Sequence, residues 1–309
     1  MSEEKIIKPS DLEEIFKDKF SDYLKQRVKE YDFRYRDLTQ EERDNWLLFI
    51  LKTLNQKKNV VKASEYRLSA WEAGWGENLK AFVSSNDIKD LIPRYFGKHK
   101  VLRWKGDFIE PLNPDFEQNS LSIIQDWLFD KYFRDINSIY EFGCGTGHNL
   151  FRVHAVNQSA KLYGCDWVES SGKILDILNK NSFIPGVSFR KFNFFEPDLS
   201  FVLDRKSGVY TSAALEQIGS KFIPFIDFLI KNRPKICIHI EPIEELLDET
   251  NLLDQLSIAY FKKRNYLKGF LTYLRELEKK GKVVIHNAQR TYIGSLFIDG
   301  YSVVVWSPL

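Results

Sequence analysis

The sequence predicts an α/β protein: a mostly parallel seven-stranded sheet with an antiparallel C-terminal strand from residue 136 onward, preceded by a mainly helical domain over 1–135. Three observations carry this. Short β-branched and aromatic runs alternate with helical patterns in the second half, which is the rhythm of crossover units in a parallel sheet. A glycine-rich turn follows the first of those runs directly. The first half instead shows helical spacing behind capping signals.

In chain order, Asp11 with Glu14 and Thr39 with Glu42 have the capping-box spacing. Behind them Ile15, Phe16, Phe20, Tyr23, Leu24 and Val28, then Trp46, Leu47, Ile50, Leu51 and Leu54, recur at helical intervals. Pro93, Gly97, Gly106, Pro111 and Pro114 mark a loop-rich stretch, and Leu121 to Phe133 reads as one more helix. The strand runs are 138–143, 161–167, 187–193, 208–215 and 235–242, followed by a long helix near 251–280 and two final strands, 282–290 and 301–308. Either those two pair antiparallel, or Asp299-Gly300 turns Ser295–Ile298 back onto the last strand; both registers satisfy the pattern.

Composition bounds the function. The 309 residues are 43% hydrophobic and 28% charged with a net charge of +2, so no global field points to nucleic acid. No apolar run approaches the ~20 residues that span a bilayer. The N-terminal residues lack the apolar core of a signal peptide, and the cytoplasm is the expected compartment. Cys144, Cys165 and Cys237 form no CxxC pair and suggest neither a disulfide framework nor a metal site. Aromatics reach 15%, and Trp46, Trp71, Trp75, Trp104 and Trp127 fall in the first half. Such residues are core in most proteins, or they line a pocket that holds flat ligands.

The strongest motif is Glu141-Phe142-Gly143-Cys144-Gly145-Thr146-Gly147, between a strand and a helix. Its alternate glycines let backbone approach a ligand closely, and the helix beyond offers free N–H groups. A dinucleotide fingerprint fails in both registers, because His148 and Leu150 stand where its last glycine belongs; no P-loop Gly-Lys-Ser/Thr follows either. Asp166 closes the second strand, where a carboxylate can accept ribose hydroxyls. Asn193-Phe194 closes the third.

With these residues the chain resembles the class I S-adenosylmethionine-dependent methyltransferases. The resemblance implies a Rossmann-like fold over 136–309 and S-adenosylmethionine as cofactor. It implies that Glu141, Gly143, Gly145 and Gly147 pass under and hold the methionine end, Asp166 with Trp167 the ribose, and Asn193 with Phe194 the adenine. His148 departs from the small or acidic residue common there. Acceptor-positioning or base residues often follow the fourth and fifth strands in this family, which makes Glu216 and Glu241 the candidate catalytic residues. His239 shares a face with Glu241 and reads as a core histidine. The segments LEQIGSKFIPF, 240–270 and GYSVVVWSP look similar to bacterial methyltransferases encoded with surface-polysaccharide genes, which implies a sugar or sugar-nucleotide hydroxyl as acceptor.

Residues 91–105 hold Arg94, Lys98, Lys100, Arg103 and Lys105 with His99, Tyr95, Phe96 and Trp104, and no acid. They read as a solvated basic loop or as a lid, in which Arg94, Arg103 and Trp104 would meet an anionic small-molecule substrate. Lys262-Lys263-Arg264-Asn265-Tyr266 could face the same crevice. The resulting expectation is an O-methyltransferase acting on a small molecule or sugar hydroxyl. Its rivals are a nucleic-acid or protein methyltransferase and a binding protein that keeps the fold without turnover. Neutral net charge and the lack of an Asn-Pro-Pro-Tyr/Phe tetrapeptide weigh against nucleic acid.

Overall fold

The computed structural model describes residues 3–56 and 61–309. Its first half contains β1 (Glu4–Ile6), α1 (Pro9–Phe16), α2 (Asp22–Glu30), β2 (Arg34–Asp37), α3 (Gln40–Asn55), α4 (Leu68–Ser85), β3 (Leu102–Trp104), β4 (Asp107–Pro111) and α5 (Phe116–Tyr132). The second contains β5 (Ser138–Phe142), α6 (Leu150–Val156), β6 (Lys161–Asp166), α7 (Glu169–Lys180), β7 (Ser188–Lys191), β8 (Gly208–Ser212), α8 (Ile223–Asn232) and β9 (Ile236–Glu241). It closes with α9 (Leu252–Arg264), α10 (Phe270–Lys279), β10 (Val283–Gln289), β11 (Ile293–Gly294) and β12 (Ser302–Pro308).

The seven-stranded sheet runs β10-β12-β9-β8-β5-β6-β7. β5 through β9 are parallel, while β12 lies antiparallel to both β9 and β10. β5 is buried at every residue because helices cover both faces, which explains its unbroken apolar and aromatic run. Strand order reverses at β5 and β8, the switch point where the carboxyl ends of the strands leave a crevice. Of the two C-terminal registers, the β10–β12 pairing forms: Val283 faces Pro308 and Gln289 faces Val303. Asp299 is instead held by Arg290, whose guanidinium also grips Asp254 at 2.6 Å. The long helix is two helices, broken where Asn265 takes φ 55° and Gly269 takes φ 81°.

The first half is less purely helical than its periodicity suggests. A five-stranded antiparallel sheet, β1-β2-β4-β3-β11, accompanies the helices, and its last strand comes from the second half. One apolar core joins Phe16, Phe116, Ile124 and Trp127 to Ile139, Leu175 and Ile238, so the expected boundary at 135 is crossed by packing as well as by hydrogen bonds. The Thr39–Glu42 capping box forms as its spacing requires. The Asp11 signal is shifted: α1 starts at Pro9, and Asp11 accepts from the Lys8 backbone at 2.8 Å. Among the tryptophans, Trp127 stacks on Phe16 at 4.6 Å and Trp104 is buried core.

Candidate active site

The glycine turn leaves β5 over the end of β6. Gly143 and Cys144 donate to the Cys165 carbonyl, and the Gly145 N–H donates to Asp166 Oδ2 at 2.8 Å. Two glycines are required by geometry. Gly143 takes φ 76°, and a Cβ there would stand 2.5 Å from Ala214 Cβ. Gly145 takes φ 53°, and its Cβ would stand 3.0 Å from the Trp75 ring. Asp166 Oδ1 accepts from Trp167 and Val168, and burial pushes this carboxyl up to about 6.

These residues open onto a crevice with about 580 Å³ of empty volume. Gly143, Asp166, Trp167, Asn193 and Phe194 line its floor and walls, and Phe195 lies 5.8 Å from the Trp167 ring. Asn193 stands two residues beyond β7, where its Oδ1 accepts from Phe195 N. The roof is α4, which brings Trp71 and Trp75 stacked at 5.4 Å. Glu72 of the same helix accepts from the Glu169 and Ser170 N–H groups, capping α7 and tying the roof to the sheet domain. Thr146 donates to the Leu91 carbonyl beside it at 2.6 Å.

Glu141 does not line this crevice. It is buried at 1% exposure; Asn149 Nδ2 donates to its Oε1 at 2.7 Å, and its Oε2 has no partner among the described residues. Burial raises its pKa to about 8. His148 points into a different cavity, beside Arg27, Asp126 and Arg152, where burial lowers its pKa to about 3 and keeps it neutral.

Past Ala213 and Gln217 the crevice continues into a second cavity of about 1290 Å³. Aromatics Tyr95, Tyr260, Tyr266, Phe297 and Tyr301 line it, with Arg67, Lys98, His99, Glu117, Glu216 and Arg264 between them. Glu216, on the short turn of 3-10 helix after β8, faces this cavity and accepts from Gln217 Nε2 at 2.6 Å. Burial first, then the neighbouring Glu241 charge, raises its pKa to about 8.

Glu241 and Glu216 therefore differ in kind. Glu241 is fully buried and accepts the N–H groups of Ala214, Leu215 and Glu216 at 3.0–3.2 Å, so it fixes the turn that presents Glu216 and cannot reach a substrate. This corrects its reading as a base. Burial raises the Glu241 pKa to about 7 against the pull of its three backbone donors, below the value near 8 of Glu216. His239 is the satisfied core histidine: Trp306 donates to its Nε2, which leaves Nδ1–H for Thr211.

The expected substrate residues are corrected in the same way. Arg103 is 4% exposed; its guanidinium donates to the carbonyls of Leu253, Leu296 and Phe297 and to Ser257, tying β3 to α9. Trp104 is core, because β3 is paired on both sides. Arg94 lies on the surface against Glu77. From the same segment only Tyr95, Lys98 and His99 line the cavity. In the second basic run, Lys263 donates to the Leu54 and Gln56 carbonyls, while Arg264 and Tyr266 line the cavity. Trp75 and Glu72 had no motif to announce them; the aromatic excess of the first half is the one signal that pointed toward Trp71 and Trp75.

No family model and no curated relative matches the chain. Among solved structures, the cyclase SpnF aligns with a TM-score of 0.50 at 12% identity, covering 82% of this chain and 98% of that one. The N-methyltransferase NodS from Bradyrhizobium japonicum aligns at 0.46 and 10% identity over 76% of this chain and 98% of its own. An O-methyltransferase from neocarzinostatin biosynthesis aligns at 0.43 and 13% identity, covering 78% of this chain and 70% of that one. At these identities the likeness concerns the fold alone. With its strand order, antiparallel last strand and glycine turn at the switch point, the chain has the Rossmann-like fold of the class I S-adenosylmethionine-dependent methyltransferases.

Proposed function

We propose that the protein is an S-adenosylmethionine-dependent methyltransferase whose acceptor is a small-molecule hydroxyl, with a sugar as the favoured class. The observation that carries this reading is the junction of the two cavities at Ala213 and Gln217, which sets a nucleoside-type crevice against a second pocket holding Glu216.

The crevice residues suit the cofactor. Asp166 retains lone pairs for a ribose diol beside its backbone bonds. Trp167, Phe194 and Phe195 offer flat faces for a purine. When bound, the cofactor supplies an activated methyl group together with its own leaving group. The chain then has to orient the acceptor and take its proton. Glu216 is the residue placed to do the second, and a carboxyl near 8 is matched to a base working close to neutral pH. Trp71, at the boundary of both cavities, excludes water from the junction. The roof of α4 favours a small acceptor over a nucleic acid or protein surface, because it covers the crevice from above.

The test is incubation with methyl-labelled S-adenosylmethionine and a metabolite extract. Label in a small hydroxylated product, lost with Glu216→Gln, supports the proposal. Label in RNA or protein, or no transfer despite cofactor binding, contradicts it.

A further inference from the structure

The second cavity holds two arginines unlike the others in the molecule. Arg103 has four acceptors, and Arg290 grips Asp254 and Asp299, so each structural guanidinium is saturated. Arg67 and Arg264 have no carboxylate within 4.0 Å among the described residues, and the Nε of each is buried without a partner. Their positions are nevertheless well defined. Arg67 lies 4.7 Å over the Trp71 ring and donates to Gln217 Oε1 at 2.9 Å. Arg264 lies 5.2 Å over Tyr266. The two are near enough that the charge of Arg264, after burial, lowers the pKa of Arg67. Glu216 offsets these charges only when ionised, and it holds its proton up to about 8, so the pair keeps a positive charge that an anion can balance.

Lys98 adds a third cation at the rim, against Glu117 and Glu216 as the acids. Glu117 accepts from Tyr301 at 3.1 Å, and burial raises both acids toward the neutral form. The cavity is therefore cationic where Arg67 and Arg264 face it. We infer that Arg67 and Arg264, with Lys98 at the rim, form an oxyanion subsite that takes a phosphate or carboxylate group carried by the acceptor. Planar guanidiniums suit such an oxyanion, and the rings of Trp71 and Tyr266 hold them in place. The assignment of this oxyanion to the acceptor rests on the methyl-transfer reading; the anion site itself does not.

The test is calorimetric titration of inorganic phosphate, glucuronate and neutral glucose into the full chain, with and without saturating S-adenosylhomocysteine. One or both anions should bind at least tenfold more tightly than glucose. Preference for phosphate identifies a phosphorylated acceptor, and preference for glucuronate a carboxylated one. Arg67→Gln and Arg264→Gln should each weaken anion binding about tenfold or more, with Arg264→Lys recovering part of the loss and the S-adenosylhomocysteine affinity of the Arg264 variants unchanged within about twofold. Melting curves confirm that the variants are folded. Anions binding no better than glucose, or folded Gln variants binding like the wild type, overturn the subsite. If the anion binds but S-adenosylhomocysteine does not, the subsite stands and the transferase reading falls.

Discussion

Replacing Glu216 by Gln should make the protein more stable and less active, and both effects should follow pH. Moving a carboxyl from its ordinary 4.5 to about 8 corresponds to a ceiling of about 5 kcal/mol for carrying the charge in the folded state. Glu216 is half-buried and its cavity is open to water, so on the order of 2 kcal/mol is the better figure. The folded state holds this proton more tightly than the unfolded one. The penalty is therefore absent below 4.5, grows as pH rises, and is complete above about 8. Denaturant unfolding at pH 4.5, 7 and 9 should show the variant equal to wild type at the lowest value and more stable by that amount at the highest. Wild-type methyl transfer should rise about tenfold per pH unit up to about 8 and then level, while the variant falls about 10²–10⁴-fold and loses that dependence. A variant that gains no stability at high pH, or that keeps its turnover, refutes the placement of a protonated, catalytic carboxyl at this position.

Gly145→Ala should destabilise the fold by about 1–2 kcal/mol through its φ of 53° and weaken S-adenosylhomocysteine binding by pushing Trp75 off the loop; unchanged affinity would contradict the roof role of α4. Arg103→Ala and Glu241→Ala each strand buried backbone groups and should cost on the order of 3 kcal/mol. Arg103→Ala should leave acceptor KM unchanged in whatever remains folded, and a KM effect without loss of Tm would restore it as a substrate residue.

The parallel sheet is legible because its central strands β5, β8 and β9 are buried on both faces and leave apolar runs separated by helical periods. The crevice at the strand ends is legible in the sequence because glycine spacing, Asp166 and Asn193 are each local to a strand end. Four features were hidden for physical reasons. The small antiparallel sheet uses strands of two to five residues, too short to show alternation. The roles of Arg103 and Arg94 depend on which way short β3 and its neighbouring loop turn their side chains, and charge content alone carries no such information. Glu241 has the residue type and strand-end position of a base, but three backbone N–H groups from the next turn converge on it, a contact across 25–27 residues. The second cavity is assembled from six stretches of chain, near 67–71, 95–99, 117, 213–217, 260–266 and 295–301, and no spacing rule joins them.

The most direct measurement is calorimetric titration of S-adenosylhomocysteine into the wild type and Asp166→Ala. Asp166 lines the crevice with an oxygen bonded to the glycine loop, so its loss removes both a ribose acceptor and the anchor of Gly145. Saturable one-to-one binding by the wild type, weakened about ten- to a hundredfold in a folded Asp166→Ala variant, is the predicted result. No binding to the wild type, or equal affinity in the variant, would contradict the assignment of this crevice to S-adenosylmethionine.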